Sequence, residues 1–388
     1  MQPITCIDDL QQLHRRRVPK MFYEYAAAGS WSESTLRRNR EAFGELFLRQ
    51  RVAVDISERT LSTSLLGRNW RMPVGLAPTG LAGMQCADGE ILAARAAEAF
   101  GVPFVLSTMS ICSIEDVAAS TTSPFWFQLY IMRDRDFIGR LIERARRARC
   151  SALVLTVDLQ ILGQRHDDVR NGMTVPPRLT LKNLMNLATK PRWCLGMLST
   201  RRRSFGNVVG HATGVEDLRS LSAWSAEQLD PTLNWEDVAW VKELWDGPLI
   251  LKGIMDPLDA QRARDCGVDA LIVSNHGGRQ LDGAPASLDV LPDIAAAVGS
   301  DIAVWFDGGI RSGQDVFKAI ALGAQHTFIG KAFLNGLGAM GEAGVTRCLE
   351  IIERELDLTM AFCGHTDINA VDSSVLRQPS GAICDHPE

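Results

Sequence analysis

Short apolar runs recur along the chain from Met72 onward, and each ends in a polar residue before a helical stretch begins. Strands that alternate with helices in this way predict a parallel sheet. Eight such units predict a (β/α)8 TIM barrel, whose active site is built from the C-terminal ends of its strands. The eight predicted strands are Val74 to Ala77, Phe104 to Leu106, Phe125 to Leu129, Ala152 to Val157, Leu249 to Leu251, Ala270 to Val273, Ile302 to Phe306 and Thr327 to Ile329.

Helical segments and one long connection surround the predicted barrel. Apolar positions from about Ile7 to Phe43 recur every three or four residues and predict an N-terminal helical segment, which Gly29 interrupts. The connection between strands 4 and 5, about residues 169–234, is unusually long, as functional or disordered segments are. Residues 335–362 predict a helical cover. We expect one domain over residues 1–372 and a frayed tail over 373–388.

Composition fits this picture and excludes several classes of protein. The 388 residues are 46% hydrophobic and 22% charged, as expected of a globular α/β barrel. A net charge of -5 argues against a general nucleic-acid binder. No apolar run is long enough to span a bilayer and the N-terminus lacks a signal-peptide pattern, so we expect the protein to stay in the cytoplasm. The nine cysteines stand singly, which predicts no metal site.

The ends of the predicted strands carry hydrogen-bonding or ionisable side chains. A satisfied turn residue would explain any one of them equally well. Because a barrel brings all its strand ends to one face, the whole set favours an active site. The ends are Pro78-Thr79-Gly80, Ser107-Thr108, Gln128 with Tyr130, Thr156 with Asp158, Lys252-Gly253, Ser274 with His276, Asp307-Gly308-Gly309 and Gly330-Lys331.

The sixth strand end is the most reactive in character. Between Ser274 and Asp282 it places the imidazole of His276 and the guanidinium of Arg279 three positions apart on a glycine-containing turn. This pair suits proton transfer on an anionic substrate. A helix cap followed by a surface arginine is the alternative interpretation of the same residues.

The last two strand ends predict a phosphate site. Barrels often bind phosphate in the loops after strands 7 and 8, where backbone amides point outward at a helix N-terminus. Here these loops contain glycines together with Arg311 and Lys331, whose charges suit the same anion.

Several motifs, in order, are similar to those of one enzyme family. The strongest is Ser-Asn-His-Gly-Gly-Arg-Gln-Leu-Asp at 274–282. It is supported by Trp-Phe-Gln-Leu-Tyr at 126–130, Leu-Thr-Val-Asp at 155–158, Leu-Lys-Gly at 251–253 and Asp-Gly-Gly-Ile-Arg at 307–311. From about Ile7 to Gly364 the chain resembles the FMN-dependent L-2-hydroxy-acid-oxidising family.

The resemblance implies a set of FMN contacts at the strand ends. The expected flavin contacts are Pro78, Thr79, Gly80, Ser107, Gln128, Thr156, Lys252 and Ser274. The expected phosphate contacts are Asp307, Gly308, Gly309, Arg311, Gly330 and Lys331. The family usually has arginine where this chain has Lys331, and lysine keeps the charge but loses the bidentate geometry.

The same resemblance implies the substrate and the proton-transfer residues. Arg165 and Arg279 are expected to hold a carboxylate, while Tyr25 and Tyr130 bond the carboxylate or the hydroxyl. This fits a 2-hydroxy acid. His276 is the expected general base and Asp158 the carboxylate that stabilises its cation. Lys252 is expected to stabilise negative charge on the flavin edge.

The insert and one pocket residue narrow the expected reaction. Basic residues among Leu, Met and Trp at 190–203 suit either a membrane contact or a lid, and they resemble the membrane-associating insert of the family's lactate and mandelate dehydrogenases. The resemblance therefore implies a peripheral protein on the inner face of the cell membrane that passes electrons to a quinone. Met109 favours L-lactate as the substrate, and L-mandelate or another 2-hydroxy acid remains open. Oxygen remains open as the electron acceptor. Family members are commonly homotetramers.

Two interpretations of other classes also remain. A flavin-free phosphate-binding barrel in which Lys252 forms a Schiff base, as in an aldolase, explains the phosphate loops. It leaves His276 and the paired arginines without a joint task. A non-catalytic scaffold is the other alternative.

Overall fold

A barrel of eight parallel strands forms the centre of the protein in the computed structural model, which describes residues 3–173, 180–212, 215, 228 and 230–377. The strands are β1 (Val74–Leu76), β2 (Val105–Ser107), β3 (Trp126–Tyr130), β4 (Ala152–Thr156), β5 (Leu249–Ile254), β6 (Ala270–Val273), β7 (Ala303–Asp307) and β8 (His326–Ile329). β8 pairs with β1, and a bridge from Leu76 to Phe104 closes the barrel. The predicted (β/α)8 fold is confirmed.

Helices surround the barrel and alternate with its strands. They are α1 (Ile7–Arg17), α2 (Lys20–Ala27), α3 (Ser34–Gly44), α4 (Ala82–Gln85), α5 (Gly89–Phe100), α6 (Ile114–Ala118), α7 (Arg135–Arg147), α8 (His166–Arg170), α9 (Leu181–Ala188), α10 (Pro191–Ser199), α11 (Trp235–Trp245), α12 (Pro257–Asp265), α13 (Ser287–Val298), α14 (Gly313–Ala321), α15 (Lys331–Met340) and α16 (Glu342–Cys363). None of these described helices is both long and apolar enough to cross a membrane.

Aromatic side chains fill the barrel interior at the N-terminal end of the strands. The rings of Trp126 and Trp305 stack with their centroids 5.4 Å apart, and Phe328 packs against both. Below them, a hairpin of two short strands, Thr63–Leu65 and Arg68–Trp70, adds buried Leu65 and Trp70 to the same cluster. The hairpin therefore closes this end of the barrel, and the other end is left to form a site.

The end of the described chain is more ordered than its sequence predicts. Residues 373–377, expected to belong to a frayed tail, form a 3-10 turn at Ser373–Val375 and a short strand at Leu376–Arg377. That strand pairs antiparallel with Phe47–Leu48. Residues 378–388 lie outside the described part of the chain.

Helices α15 and α16 approach each other closely at two glycines. A Cβ added to Gly336 would lie 2.2 Å from the carbonyl oxygen of Gly344, so no side chain fits there without moving a helix. Because α15 begins directly after β8, this contact also fixes where the N-terminus of α15 meets the barrel mouth.

We expect Gly336→Ala to lower the free energy of unfolding by about 1–3 kcal/mol, because the added methyl group forces the two helix backbones apart. The matched control is Gly139→Ala in α7, where a Cβ meets no atom within 4 Å and alanine raises helix propensity. Urea unfolding of both variants measures the difference. Equal stability of the two variants would contradict the close contact.

Candidate active site

A histidine and a carboxylate form a hydrogen-bonded pair at the open end of the barrel. His276 follows β6, and its Nδ1 lies 2.8 Å from Oδ1 of Asp158, which follows β4. His276 has a φ of 59°, a strained left-handed conformation for a residue with a side chain, as is common where a reactive group must be aimed. A neutral imidazole that donates from Nδ1 to a carboxylate keeps Nε2 as a proton acceptor.

Two neighbours hold Asp158 in place. Gln280 donates from Nε2 to the Asp158 carbonyl at 2.8 Å. Gly253, at a bulge in β5 with a φ of 103°, leaves room for the Asp158 side chain, since a Cβ there would lie 2.7 Å from its Cγ. Burial alone raises the pKa of the Asp158 carboxyl, but His276 and Lys252 lower it to below its ordinary value. The carboxylate therefore stays charged and can balance a protonated imidazole.

Two arginines and two tyrosines lie beside this pair. The Arg279 guanidinium lies 4.8 Å from the centre of the Tyr25 ring, and that of Arg165 lies 5.7 Å from it. Burial, together with the negative charge of Asp158, raises the pKa of the Tyr130 hydroxyl, so this group stays protonated and able to donate. Four donors thus converge on one pocket.

The arginines are held in ways that differ. Arg279 donates to the backbone carbonyls of Tyr25 and Ala28, whereas Nε of Arg165 lies 3.2 Å from Oδ2 of Asp168. Burial, and then the positive charge of Arg165, lower the pKa of Arg279 to about 10. Two cations forced together in a buried site favour an anion such as a carboxylate.

Lys252 is the centre of a buried polar network on the barrel axis. Its Nζ donates to Ser274 Oγ at 2.7 Å and lies 3.0 Å from Oδ2 of Asp307. An ion-paired ammonium differs from the isolated amine in an apolar pocket that Schiff-base chemistry uses. Two buried polar atoms of the neighbouring strands, Gln128 Nε2 and Thr156 Oγ1, have no hydrogen-bond partner within the described chain. Both atoms are therefore available to hydrogen-bond a polar ligand at this place.

The loops after β7 and β8, where the sequence predicts a phosphate site, form the next part of the mouth. The N-terminus of α14 is capped, because Ser312 Oγ accepts from the amide of Asp315. The N-terminus of α15 begins after Gly330 without a side-chain cap, so its first amides can bind an anion. Arg311 donates from Nη1 to Gln11 and Asp8 of α1.

Lys331 is the first residue of α15 and extends across the barrel mouth. Its Nζ donates to the carbonyls of Ala28 at 3.3 Å and Gly277 at 3.2 Å. Burial, followed by the charges of Arg279 and Arg311, lowers the pKa of Lys331 well below its ordinary value. The side chain of Lys331 therefore extends from the N-terminus of α15 to the turn that carries His276.

The remaining predicted contacts line the same mouth. Ser107 Oγ donates to Gln128 Oε1 at 3.1 Å. A Cβ on Gly330 would lie 3.6 Å from Thr79, and one on Gly80 would lie 3.4 Å from the Tyr25 hydroxyl. Pro78 lies in the same loop as these, and Gly308 and Gly309 follow β7. The fold thus brings the predicted strand ends to one face, although their roles as ligands stay a prediction.

Four residues that hold the site residues in place were given no function from the sequence. They are Asp168, which pairs with Arg165, Gly253, Gln280, and Asn39. Asn39 of α3 exchanges two side-chain amide hydrogen bonds with Asn275, beside the catalytic turn. Gln280 and Asn275 belong to the quoted 274–282 motif, which was the signal available for them. Asn39 lies in a helix whose sequence gives no such signal.

Comparisons with known proteins agree with this geometry. A sequence profile described as FMN-dependent dehydrogenase matches residues 14–378. An L-lactate dehydrogenase of Caulobacter vibrioides is 43% identical over 380 residues, which is 97% of this chain and 98% of that protein.

Solved structures are similar over almost the whole chain. A crystal structure described as the monotopic membrane protein (S)-mandelate dehydrogenase has a TM-score of 0.93 at 35% identity and covers 97% of this chain and 100% of its own. A mandelate oxidase has a TM-score of 0.82 at 33% identity and covers 98% of this chain and 100% of its own. The barrel and the histidine–aspartate pair of this protein agree with these similarities. The matches in sequence and structure show that this chain belongs to the FMN-dependent dehydrogenase family.

Proposed function

We propose that this FMN-dependent 2-hydroxy-acid dehydrogenase oxidises L-lactate to pyruvate. The observation that carries the proposal is the His276–Asp158 pair, which lies beside a pocket where Arg165 and Arg279 converge without a carboxylate partner for Arg279 within the described chain. A base next to a carboxylate-binding pocket suits an acid whose hydroxyl is on the adjacent carbon.

The residues of the mouth fit FMN. The unpartnered Gln128 Nε2 and Thr156 Oγ1 suit the polar edge of the flavin ring, near Lys252. The uncapped N-terminus of α15 suits its phosphate, assisted by Lys331. The remaining proposed contacts are Pro78, Thr79, Gly80, Ser107, Ser274, Asp307, Gly308, Gly309, Arg311 and Gly330. When bound, FMN supplies the acceptor for two electrons from the substrate carbon.

The protein residues bind the substrate and move its proton. Arg279 and Arg165 hold the carboxylate, and Tyr130 and Tyr25 donate to the carboxylate or the hydroxyl. Nε2 of His276 accepts a proton from the substrate, and Asp158 stabilises the imidazolium that results. With FMN bound, the ammonium of Lys252 would stabilise negative charge on the flavin.

Met109 supports L-lactate as the substrate. Its Cβ lies 3.4 Å from the Cβ position of Gly80, on the side of the pocket that also contains the Tyr25 hydroxyl. A long side chain at that place leaves more room for a methyl group than for a phenyl ring. The 43% identity to an L-lactate dehydrogenase points in the same direction. L-Mandelate is the second candidate, because the structure described as (S)-mandelate dehydrogenase is so similar and methionine is flexible.

Anaerobic stopped-flow absorbance of the flavin tests the substrate and the base together. We expect L-lactate to reduce the bound FMN faster than L-mandelate does. His276→Ala should retain FMN but slow its reduction by about 10²–10⁴-fold, since a general base contributes that factor. The exposed histidine of the insert provides the control, His211→Ala, which should behave as the parent. Near-normal reduction in His276→Ala would exclude the base assignment.

We expect Arg279→Lys to lower kcat/KM for L-lactate by on the order of ten- to hundredfold, because a point charge replaces a planar fork. Steady-state kinetics with an artificial electron acceptor measures the loss. Arg262→Lys on α12, whose side chain is 64% exposed, makes the same chemical change outside the mouth and should leave kcat/KM unaltered. Equal values for the two variants would rule out Arg279 as a carboxylate ligand.

We also propose that the insert binds the membrane surface and that a membrane quinone accepts the electrons. In α10 the side chains of Trp193 and Met197 face the protein, where Trp193 stacks on Phe22, while Leu195 and Leu198 are 67% and 71% exposed. Leu181, Leu184 and Met185 of α9 are exposed as well, among Lys182 and Arg192. Exposed apolar side chains framed by basic residues are typical of peripheral membrane contacts. Oxygen is the alternative acceptor, and the homotetramer remains a prediction.

Vesicle co-sedimentation of the holoenzyme tests the membrane contact. We expect binding to vesicles of anionic phospholipid and a decrease in partitioning of about tenfold or more in Leu195→Glu/Leu198→Glu, because the variant adds charge to the inserted surface. Leu258→Glu, at a position 66% exposed on α12, is the matched control and should bind as the parent does. The rate of L-lactate oxidation in the same vesicles, with a quinone and then with oxygen as the electron acceptor, compares the two acceptors. Identical partitioning of both variants would contradict the proposed contact.

A further inference from the structure

A buried glutamate joins the two loops that border the substrate side of the mouth. Glu90, in the first turn of α5, is only 2% exposed. Its Oε1 accepts from the amides of Gly83 at 2.9 Å and Ile111 at 3.0 Å, and its Oε2 accepts from that of Cys112 at 3.3 Å. Backbone amides and the helix N-terminus both stabilise a carboxylate there. One side chain thus holds three backbone amides from two different strand ends.

The two loops carry the residues that border the pocket. The first loop, which is residues 80–83, follows β1 and ends in the first turn of α4, and the second loop, residues 109–112, follows β2. They also meet directly, since the Leu81 amide donates to the Met109 carbonyl at 3.1 Å. At this contact a Cβ on Gly80 would lie 3.3 Å from the Met109 carbonyl oxygen. The position of Met109 therefore depends on how firmly the loops are held together.

We propose that Glu90 is a positioning residue that sets which 2-hydroxy acids fit, by fixing the second loop, and with it Met109, against the first. The proposal rests on the proposed oxidation of a 2-hydroxy acid and extends it to the choice among such acids. Glu90 lies behind the loops and contacts backbone amides, so it acts on the shape of the pocket and leaves the His276–Asp158 pair as it is.

Glu90→Gln is the sharpest perturbation. A glutamine keeps one acceptor oxygen for Gly83 and Ile111, but its NH₂ group then faces the amide of Cys112, two donors without an acceptor. We expect the ratio of kcat/KM for L-lactate to that for L-mandelate to fall on the order of tenfold, the low end of what a methylene-sized change in an apolar pocket produces. The pH dependence of kcat/KM should keep the shape of the parent profile.

The control comes from the same helix. Glu98 of α5 also accepts backbone amides, those of Thr122 and Ser123, but these precede β3 at the closed end of the barrel. Glu98→Gln therefore repeats the chemical change away from the mouth and should leave the substrate ratio unaltered. An equal fall in both variants would show a general loss of stability and overturn the proposal.

Hydrogen exchange of the holoenzyme, followed by mass spectrometry, measures the loops without any turnover. In Glu90→Gln the amides of Gly83, Ile111 and Cys112 should exchange about tenfold faster, because a buried charge-assisted hydrogen bond is lost. Unchanged hydrogen exchange at these amides would overturn the proposal that Glu90 holds the loops together. Faster exchange with an unchanged substrate ratio overturns its role in selectivity. If neither acid reduces FMN, the proposed function fails, while the exchange rates still decide whether Glu90 holds the loops.

A double-mutant cycle tests whether Glu90 acts through Met109. Met109→Ala should by itself lower the L-lactate preference, and adding Glu90→Gln should then change the ratio little further. Additive effects would contradict this route. Should Glu90→Gln not fold, Glu90→Asp keeps the charge, shortens the reach by one methylene, and is expected to shift the ratio and the exchange in the same direction to a smaller extent.

Discussion

Partly buried positive charge is the constraint on which the open end of this barrel depends. Arg279 and Lys331 are largely shielded from water and have backbone carbonyls as their described partners, and the neighbouring positive charge of Arg165 at Arg279, and of Arg279 at Lys331, lowers the pKa of each. Carbonyl dipoles offset this cost only in part, whereas an anion removes much of it. The fold thus assembles a mouth whose electrostatics suit the proposed carboxylate and phosphate ligands. The carbonyl of Ala28 accepts from both Arg279 and Lys331, so the end of α2 links these two side chains.

Most of the architecture follows from the period of the apolar runs. Seven of the barrel strands lie within one residue of their predicted bounds, because buried parallel strands are short, continuous and end in polar residues. β5 runs beyond its predicted end through a bulge at Gly253, where the Asp158 side chain leaves no space for a Cβ. The N-terminal segment divides at Pro19, where a helix begins that the mixed apolar spacing does not distinguish from the one before it. Pairing of the final strand with Phe47–Leu48 is a long-range contact with no local signal.

The candidate site divides in a similar way. His276 and Asp158 can be predicted as partners because barrel geometry places strand ends of distant sequence on one face. The contacts that hold these two residues in place cannot be predicted from the sequence. Gln280 bonds the Asp158 backbone and Gly253 leaves space for the Asp158 side chain, and both effects exist only once the loops have met. Both residues stand in the quoted motifs, but nothing in the sequence says what they contact. Glu90, which holds the neighbouring loops, is in sequence only an acidic residue at a helix start.

Because the hairpin closes the N-terminal end of the barrel, the pocket at the mouth is open only on its C-terminal side. Leu65 and Trp70 pack beneath the stacked Trp126 and Trp305. In the described part of the chain, these side chains block the barrel axis at its N-terminal end. Whatever is made at the mouth must leave by the rim through which the next substrate arrives. In the proposed reaction the 2-oxo acid product keeps the carboxylate assigned to Arg279, so product and substrate would compete for one set of donors. The proposed function therefore implies inhibition by its own product.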